Sequence, residues 1–221
     1  MEEKKFVNVR KEEFAIKQFV RRTFGKGKIS SVKIEYTPVG EKIIVATHKP
    51  GWIIGKRGEK IAELTEVLKR RFKMENPHIE ISEIMHPDFD AQLVADEIAL
   101  SLERFGSLKY KAVSYKVLSR IKASGAAGAE IRVSGKLPSD RARSWRFTFG
   151  YLKKTGDASK VVDKAKSVAE TKQGVIGIKV AILSPYAKIH DKIDINEDLM
   201  NQIKRNATFV EAVVEKKRKK K

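Results

Sequence analysis

Apolar residues recur along the chain with two different spacings, which together predict an alternation of helices and strands. Residues 12–24 place apolar side chains three and four positions apart, the spacing of a helix with one buried face, and Gly25 should end that helix. The predicted buried face comprises Ile16, Phe19, Val20 and Phe24. Period-two alternation in 32–36 and a β-rich run in 43–47 predict two strands, which the turn at 37–41 joins as a hairpin.

The stretch 43–72 organises the first part of the chain. Its strand stops at Lys49-Pro50-Gly51, and an apolar half-turn then leads into Gly55-Lys56-Arg57-Gly58. An amphipathic helix follows, in which Glu66 can pair with Arg70, and Asn76-Pro77 separates it from a third predicted strand. The half-turn is Trp52-Ile53-Ile54, the helix stripe is Ile61, Leu64, Leu68 and Phe72, and the third strand carries Ile79, Ile81 and Ile84.

The two glycines of this loop carry its candidate chemistry. Glycine lacks the Cβ atom that would hold another backbone away, and the first amide groups of the following helix are available to an anion. Lys56 and Arg57 add positive charge at the tip of the loop. We therefore predict a site for a phosphate chain, with an apolar floor beside it. Its residues are Gly55, Lys56, Arg57, Gly58 and Lys60, and its floor is Trp52, Ile53 and Ile54.

The fuller pattern Ile53-Ile54-Gly55-x-x-Gly58-x-x-Ile61-x-x-Leu64 resembles the KH domain. The GxxG loop of that family holds the sugar-phosphate backbone of about four nucleotides. The order helix, strand, strand, GxxG, helix, strand is similar to the type-2 arrangement of the KH fold. A nucleotide-binding Walker loop fits less well, because 51–57 is one residue short and has Arg57 where a hydroxyl is needed. A complete GxGxxG fingerprint is also missing from the sequence.

Composition points to a polyanionic partner. The 221 residues include 47 Lys and Arg against 28 Asp and Glu, a formal net charge of +19. The excess is about +7 in residues 1–86 and about +9 in residues 87–190, so both halves favour nucleic acid. The chain has no cysteine, which excludes disulfides and thiolate metal sites. Without a signal peptide or an apolar run of membrane-spanning length, the sequence predicts a cytoplasmic protein.

Residues 85–88 mark a predicted domain boundary, with Asp88 as the expected N-cap of the next helix. That helix should end at Gly106, and another should cover about 109–124. Their predicted inward faces are Ala91, Val94, Ala95, Ile98, Leu102 and Phe105, and Tyr110, Val113, Val117 and Ile121. We expect three parts: a domain at 1–86 with its core at about 17–86, a domain at 87–190, and a flexible basic tail at 191–221. A nuclear-import signal is the other interpretation of the Lys/Arg run in the tail.

The second half alternates in a way that predicts strands and one further helix. Ile131 and Val133 should face inward from a strand that follows a glycine-rich segment. The next strand alternates Trp145, Phe147 and Phe149 with Ser144, Arg146 and Thr148, which predicts an aromatic inner face and a basic outer face. We interpret the spacing of Val161, Ala165, Val168 and Ala169 as a helix, followed by a last strand at 173–182.

Two separated motifs, GAAGAEIRVSGKL at 125–137 and GVIGIKVAI at 174–182, resemble the carboxy-terminal domain of the small-subunit ribosomal protein S-three family. The KH half fits the amino-terminal domain of that family, and the segment 135–157 is similar to its archaeal or eukaryotic branch. The resemblance implies an α+β fold. Its first part would be a type-2 KH domain, a three-stranded sheet with helices on one face, and its second a small α/β domain with a mixed sheet.

The resemblance also implies a function. The chain would be a structural constituent of the small ribosomal subunit that binds rRNA in the head and helps line the channel through which mRNA enters. Its partners would be rRNA, mRNA and neighbouring small-subunit proteins, with no membrane, no cofactor and no small-molecule substrate. Arg141, Arg143 and Arg146 are the candidates for contacts in the channel.

No catalytic site is predicted, because the four histidines are scattered without metal-ligand spacing, and Asp88 and Asp90 are better explained as helix-start residues. Two alternatives to a ribosomal role stay open. One is a free KH-type regulator of mRNA or of ribosome assembly. The other is a lyase acting at abasic DNA sites, since eukaryotic relatives have been linked to that cleavage. Such a lyase needs a lysine of lowered pKa beside a carboxylate, and borohydride trapping on abasic DNA would detect it.

Overall fold

A computed structural model describes residues 2–38, 40–72, 74, 76–137, 139–189 and 200–203. The α-helices are α1 Glu2–Phe24, α2 Pro50–Ile54, α3 Glu59–Phe72, α4 Ala91–Phe105 and α5 Tyr110–Ala123. The strands are β1 Val32–Thr37, β2 Gly40–Thr47, β3 His78–Glu83, β4 Gly128–Gly135, β5 Arg143–Gly150, β6 Asp163–Thr171 and β7 Gly174–Leu183. Within these ranges, none of the helices combines the length and the apolar character that crossing a bilayer requires.

The first three strands form a sheet in the order β1-β2-β3, in which β1 is antiparallel to β2 and β3 is parallel to it. The predicted hairpin and third strand are therefore confirmed, although Ile84 lies just beyond β3. The register places apolar residues of the three strands side by side, and α1 and α3 cover them. The rows are Ile34–Ile43–Ile79 and Val32–Val45–Ile81. This is the arrangement expected of a type-2 KH fold.

Helix α1 begins ten residues earlier than its apolar stripe predicts. The predicted inward residues Ile16, Val20 and Phe24 are buried, whereas Phe6 and Phe14 are exposed. The additional turns are stabilised locally, for example by ion pairs from Glu13 to residues one turn away on either side. An apolar stripe detects only the buried part of a helix, so it gave no sign of these turns.

The remaining strands form a second sheet in the order β5-β4-β7-β6, with every neighbouring pair antiparallel. The expected mixed sheet is therefore wrong for this half. Helices α4 and α5 pack on one face of the sheet and bury a core separate from the first one. That core includes Ile98, Leu102, Ile121, Ile131, Val133, Phe147, Ile178 and Ile182.

The helix predicted around Val161, Ala165, Val168 and Ala169 is wrong, because residues 163–171 form strand β6 against β7. The buried residues of β6 follow a period of two, Ala165, Ser167 and Ala169, and Val168 lies on the exposed face. All four residues that suggested a helix are alanines or valines, and in β6 Ala165 and Ala169 share the buried face while Val168 lies on the other. Such small residues carry little information on periodicity.

Two predicted details at helix ends also differ. The N-cap of α4 is Asp90, whose carboxylate accepts hydrogen bonds from the backbone amides of Gln92 and Leu93. Asp88 instead pairs with Arg120 and accepts a hydrogen bond from Ser124. At the other end of α4, Phe105 is exposed although the stripe placed it inward. The tail predicted at 191–221 lies outside the described residues except for 200–203, which are helical.

The segment between α1 and β1 joins the two halves through α4. The backbone amide of Gly27 donates to the Asp96 carboxylate at 3.0 Å, and Lys26 pairs with Glu103 at 2.9 Å. Ser30 donates a hydrogen bond to Asp90, the residue that caps α4. Asp96 is buried, so its bond to Gly27 is shielded from water and holds the segment firmly.

Asp163 links β6 to the start of α4 and titrates unusually. Its carboxylate accepts a hydrogen bond from the Ala91 amide at 2.8 Å. Although part of the residue is exposed, burial of the carboxylate raises the pKa of Asp163, and the charge of Asp90 adds to the effect. The unfolded chain therefore releases this proton at a lower pH than the folded chain does. The stability associated with Asp163 is full below its unfolded pKa, about 3.9, and is lost as the pH rises through the folded value.

We expect Asp163→Asn to remove this pH dependence. The unfolding free energy of the variant, relative to that of the unsubstituted chain, should increase between about pH 3 and pH 7, because asparagine has no proton to release. Urea unfolding at several pH values measures this difference. A constant difference across the range, reflecting only the altered hydrogen bond, would contradict the assignment.

Candidate nucleic-acid interface

The GxxG loop connects α2 to α3, and its backbone is unusual at three of its four residues. Gly55 has φ 73°, Arg57 has φ 54° and ψ 23°, and Gly58 has φ 80°. Arg57 is the one non-glycine residue with positive φ in the part of the chain that the structure describes. Left-handed backbone costs an L-residue roughly 1–2 kcal/mol, so the fold tolerates strain to place Arg57 at the tip.

The two glycines differ in what surrounds them. A Cβ atom on Gly55 would lie 2.8 Å from Cγ of Lys60, so the stem of that lysine lies directly over the glycine. A Cβ atom on Gly58 would meet nothing within 4 Å. Gly58 therefore leaves open space on the surface next to the first turn of α3, where another backbone could approach.

The predicted cations of the loop project into solvent. Lys56, Arg57 and Lys60 are exposed, and none of them forms an ion pair with another described residue. Three positive charges thus surround the start of α3, where Glu59 is the one acid of the first turn, and the first amides of the helix carry the positive end of its dipole. This combination suits an anion that lies along the loop.

The predicted apolar floor is wrong as a single surface. Residues 52–54 are not a half-turn but part of helix α2, so their side chains point in three directions. Ile53 is fully buried in the first core and its side chain cannot contact RNA, whereas Ile54 is 39% exposed and Trp52 is 54% exposed. Trp52 and Ile54 remain available on the surface.

Trp52 faces a cleft of about 680 Å³ between the first half and α4. The ammonium groups of Lys28 and Lys49 lie 5.4 and 5.3 Å from its ring centroid, within the range of cation–π attraction. Both lysines were missed from the sequence, where nothing places Lys28 near Trp52. An exposed ring flanked by cations offers a stacking surface together with charge for a nucleotide.

The structure does not bring Arg141, Arg143 and Arg146 together on one face. All three are exposed and without ion pairs among the described residues, and they lie on or just before the edge strand β5. Arg143 shares the side of β5 that carries Trp145, whereas Arg146 points to the opposite side of the sheet. The predicted inward Trp145 and Phe147 do pack on α5, through Tyr110 and Tyr115.

The face of the second sheet that α4 and α5 leave uncovered is rich in cations. We call it the open face; among its exposed side chains are Arg132, Arg146, Lys164, Lys166 and Lys179. Only Arg146 was predicted as a site residue. Alternation with apolar residues was the signal for the others, since Arg132 lies between Ile131 and Val133 and Lys179 lies in the predicted strand at 173–182. For Lys164 and Lys166 the helix predicted around 161–169 obscured this signal.

One partly buried acid, Glu130, lies on this face. Burial alone would raise its pKa, but a hydrogen bond from Lys154 and the charges of Lys154, Arg146 and Arg132 outweigh that effect and lower the pKa overall. Its ion-pair distances are 2.5 Å to Lys154 and 3.3 Å to Arg132. Glu130 thus stays ionised, and it anchors two of the surrounding cations.

Neither a cluster of metal ligands nor a nucleophilic Lys42 is present among the described residues. In those ranges, no group of three or more His, Cys, Asp or Glu side chains is placed to hold a metal ion. The pKa of Lys42 is raised by its hydrogen bond to Glu80, and the charge of that carboxylate adds to the effect. A nucleophilic lysine requires the opposite shift.

Comparison with known proteins agrees with the two halves seen in the structure. The KH domain family model matches residues 15–88, and the family model described as ribosomal protein S3, C-terminal domain, matches residues 98–182. The fold and the GxxG loop thus define a KH-domain protein.

Curated relatives match almost the whole chain. The small ribosomal subunit protein uS3 of Methanocaldococcus jannaschii is 40% identical over 90% of this chain and 95% of its own length. The uS3 protein of Methanococcus maripaludis is 35% identical over 96% of this chain and 99% of its own length. The uS3 protein of Halobacterium salinarum is 36% identical over 89% of this chain and 65% of its own length. The chain belongs to the uS3 family, and it is therefore a structural component of the small ribosomal subunit and not an enzyme.

The strain at Arg57 can be tested by comparing two substitutions. Arg57→Ala and Arg57→Gly both remove the guanidinium, but only glycine relieves the left-handed backbone. We expect the glycine variant to unfold with a free energy about 1 kcal/mol higher than that of the alanine variant. Denaturant unfolding of the two proteins gives the difference directly, and equal stabilities would show that the loop is unstrained.

Proposed function

We propose that the chain binds small-subunit rRNA in the head of the subunit through its GxxG loop, and that strand β5 helps line the channel through which mRNA enters. The observation that carries the proposal is the loop itself. It combines open space above Gly58 with exposed, unpaired Lys56 and Arg57 at the free end of a helix.

In the proposed complex, the sugar-phosphate backbone lies across Gly58, where no side chain intervenes. Lys56, Arg57 and Lys60 neutralise phosphates on either side, and the stem of Lys60 over Gly55 limits the directions its ammonium group can take. Trp52 and Ile54 offer exposed apolar surface to nucleotides leaving the loop, and Trp52 brings Lys28 and Lys49 with it. These contacts fix the position of the RNA backbone on the protein, and they recognise the shape of the RNA more than its base sequence.

Strand β5 supports the second part of the proposal. It is an edge strand, and Arg141, Arg143 and Arg146 extend from it or from the residues before it. None of the three forms an ion pair with another described residue, although Arg146 lies close enough to Glu130 for their charges to attract. Because these arginines point to both sides of the sheet, they suit a channel wall that a strand of mRNA passes, rather than a single pocket. We further propose that 1–86 and 87–190 act as two domains within the cytoplasmic ribosome, beside neighbouring small-subunit proteins.

Reversing charge at the loop should weaken RNA binding selectively. For the double variant Lys56→Asp, Arg57→Asp we expect a loss of several kcal/mol in binding free energy, because two phosphate contacts become repulsive. Fluorescence anisotropy with a labelled rRNA fragment at physiological salt measures it. The matched control, Lys4→Asp, Lys5→Asp on α1, changes the net charge equally. Unchanged affinity in the loop variant, or equal losses in both, would refute the role of the loop.

Sedimentation separates a ribosomal constituent from a free KH-type regulator. A constituent should migrate with small subunits in one-to-one ratio after a high-salt wash, because many contacts hold it. A transient regulator or assembly factor should be released at modest salt, since phosphate contacts alone weaken steeply with salt concentration. Quantitative protein analysis of gradient fractions, with another small-subunit protein as the internal standard, gives the ratio.

A further inference from the structure

Four cations stand side by side across the whole width of the open face. Strand register pairs Arg146 with Arg132, Arg132 with Lys179, and Lys179 with Lys166. We call this line of residues the basic row. Since neighbouring strands lie about 4.8 Å apart, the row places four positive charges along about 14 Å of surface.

Such a row is unfavourable for the folded protein alone. Like charges directly opposite each other on paired strands destabilise a sheet, and here all three strand pairs contain one. The first sheet of the same chain does the reverse, because Lys42 faces Glu35 across β1 and β2 and forms an ion pair with Glu80 on β3. A sheet in this protein thus can balance its charges, and the second one does not.

Little in the described structure compensates for the row. Glu130 pairs with Arg132, and its charge also attracts Arg146 without a direct ion pair. Lys166 and Lys179 form no ion pair with another described residue. All four side chains of the row are exposed. Next to the row, the shallow hollow lined by Lys154, Lys164 and Lys166 measures about 260 Å³ and brings further lysines close.

Mostly small residues border the basic row on one side. The neighbouring row toward one end of the strands consists of Ser144, Ser134, Gly177 and Val168. Its first three members are small, and the Ser134 hydroxyl is held by a hydrogen bond to the Gly177 carbonyl. On that side of the row, a long polymer could therefore lie close to the sheet without meeting a bulky side chain.

We propose that the basic row is a second RNA-binding surface, which takes the phosphodiester backbone of one RNA strand across the four strands of the sheet. It extends the proposed RNA-binding function and shares only Arg146 with it, and it does not depend on the GxxG loop. Two neighbouring guanidinium groups can each bind a phosphate through two parallel N–H donors, while the two lysines contribute point charges.

An acidic protein segment fits this surface less well. Protein partners are usually held by aromatic or aliphatic side chains buried in pockets at the centre of an interface. The rows on the two sides of the basic row offer one exposed apolar side chain of any size, Val168. A regular line of cations instead matches a polymer with evenly repeated anionic groups.

The test uses the full chain with Lys166→Gln, Lys179→Gln and a labelled 20-nucleotide RNA of mixed sequence. Because neither lysine has an ion-pair partner in the described structure, the melting temperature should stay the same or rise. At 150 mM salt we expect roughly tenfold weaker binding, and the slope of log K against log salt should fall by about 1.4 for two lost contacts to single-stranded phosphates. The matched control, Lys11→Gln, Lys116→Gln, removes equal charge from α1 and α5, and should lose at most about twofold.

Further variants separate the possible outcomes. Lys166→Arg, Lys179→Arg keeps both charges and should keep the affinity. Combining the glutamine pair with Lys56→Asp, Arg57→Asp should give additive losses in the free energy of binding an RNA long enough to contact both surfaces, because the two sets of residues share no contact. If the glutamine pair and its control lost equal RNA affinity, the proposal that the basic row binds RNA would be overturned, while the result for the loop variant would still stand. A lower melting temperature in the glutamine pair, or competition by polyglutamate as effective as that by RNA, would also overturn it.

Discussion

Repulsion between like charges governs where this protein places its acidic residues. With a net charge of +19, the chain must hold cations near one another, and it does so in two ways. At the junction and in the first sheet, carboxylates such as Glu80 and Glu103 meet the nearby lysines. At the GxxG loop and the basic row, the described residues supply few such partners. The distribution of acids therefore separates surfaces that the protein balances internally from surfaces where an external polyanion can lower the electrostatic energy.

Backbone geometry is the second requirement for binding a phosphate chain, because charge alone does not position it. Gly58 leaves its surroundings empty, and Gly55 is covered by the stem of Lys60. Between them, Arg57 occupies a left-handed conformation that costs folding energy. A loop selected for stability alone would carry glycine at that position. Keeping arginine there is understandable if its guanidinium is used on a ligand, and the same reasoning applies to the unpaired cations of the basic row.

Much of the fold follows from periodicity, since the spacing of apolar residues in the sequence predicts the buried stripes of α3, α4 and α5 and the alternation in β5. Periodicity failed where the buried residues are small. Alanines in β6 fit a helix or a strand equally well, and only pairing with β7 decides between them. The GxxG loop could be located because its chemistry is local in sequence. The basic row could not, because Arg132, Arg146, Lys166 and Lys179 come together through the register of four strands.

The junction between the halves determines how the two basic surfaces could act on one RNA. Asp96 is buried and accepts hydrogen bonds from Gly27 at one carboxylate oxygen and from Gln92 at the other, so moving the first half away would remove the partner of one oxygen and leave only Gln92. Lys26 adds a second attachment, donating to Glu103 and to the carbonyl of Val168. The GxxG loop and the basic row are thereby held on one framework. An RNA that occupies both must have its phosphates in a matching arrangement, so a folded RNA of fixed shape would be preferred to a flexible strand of any sequence.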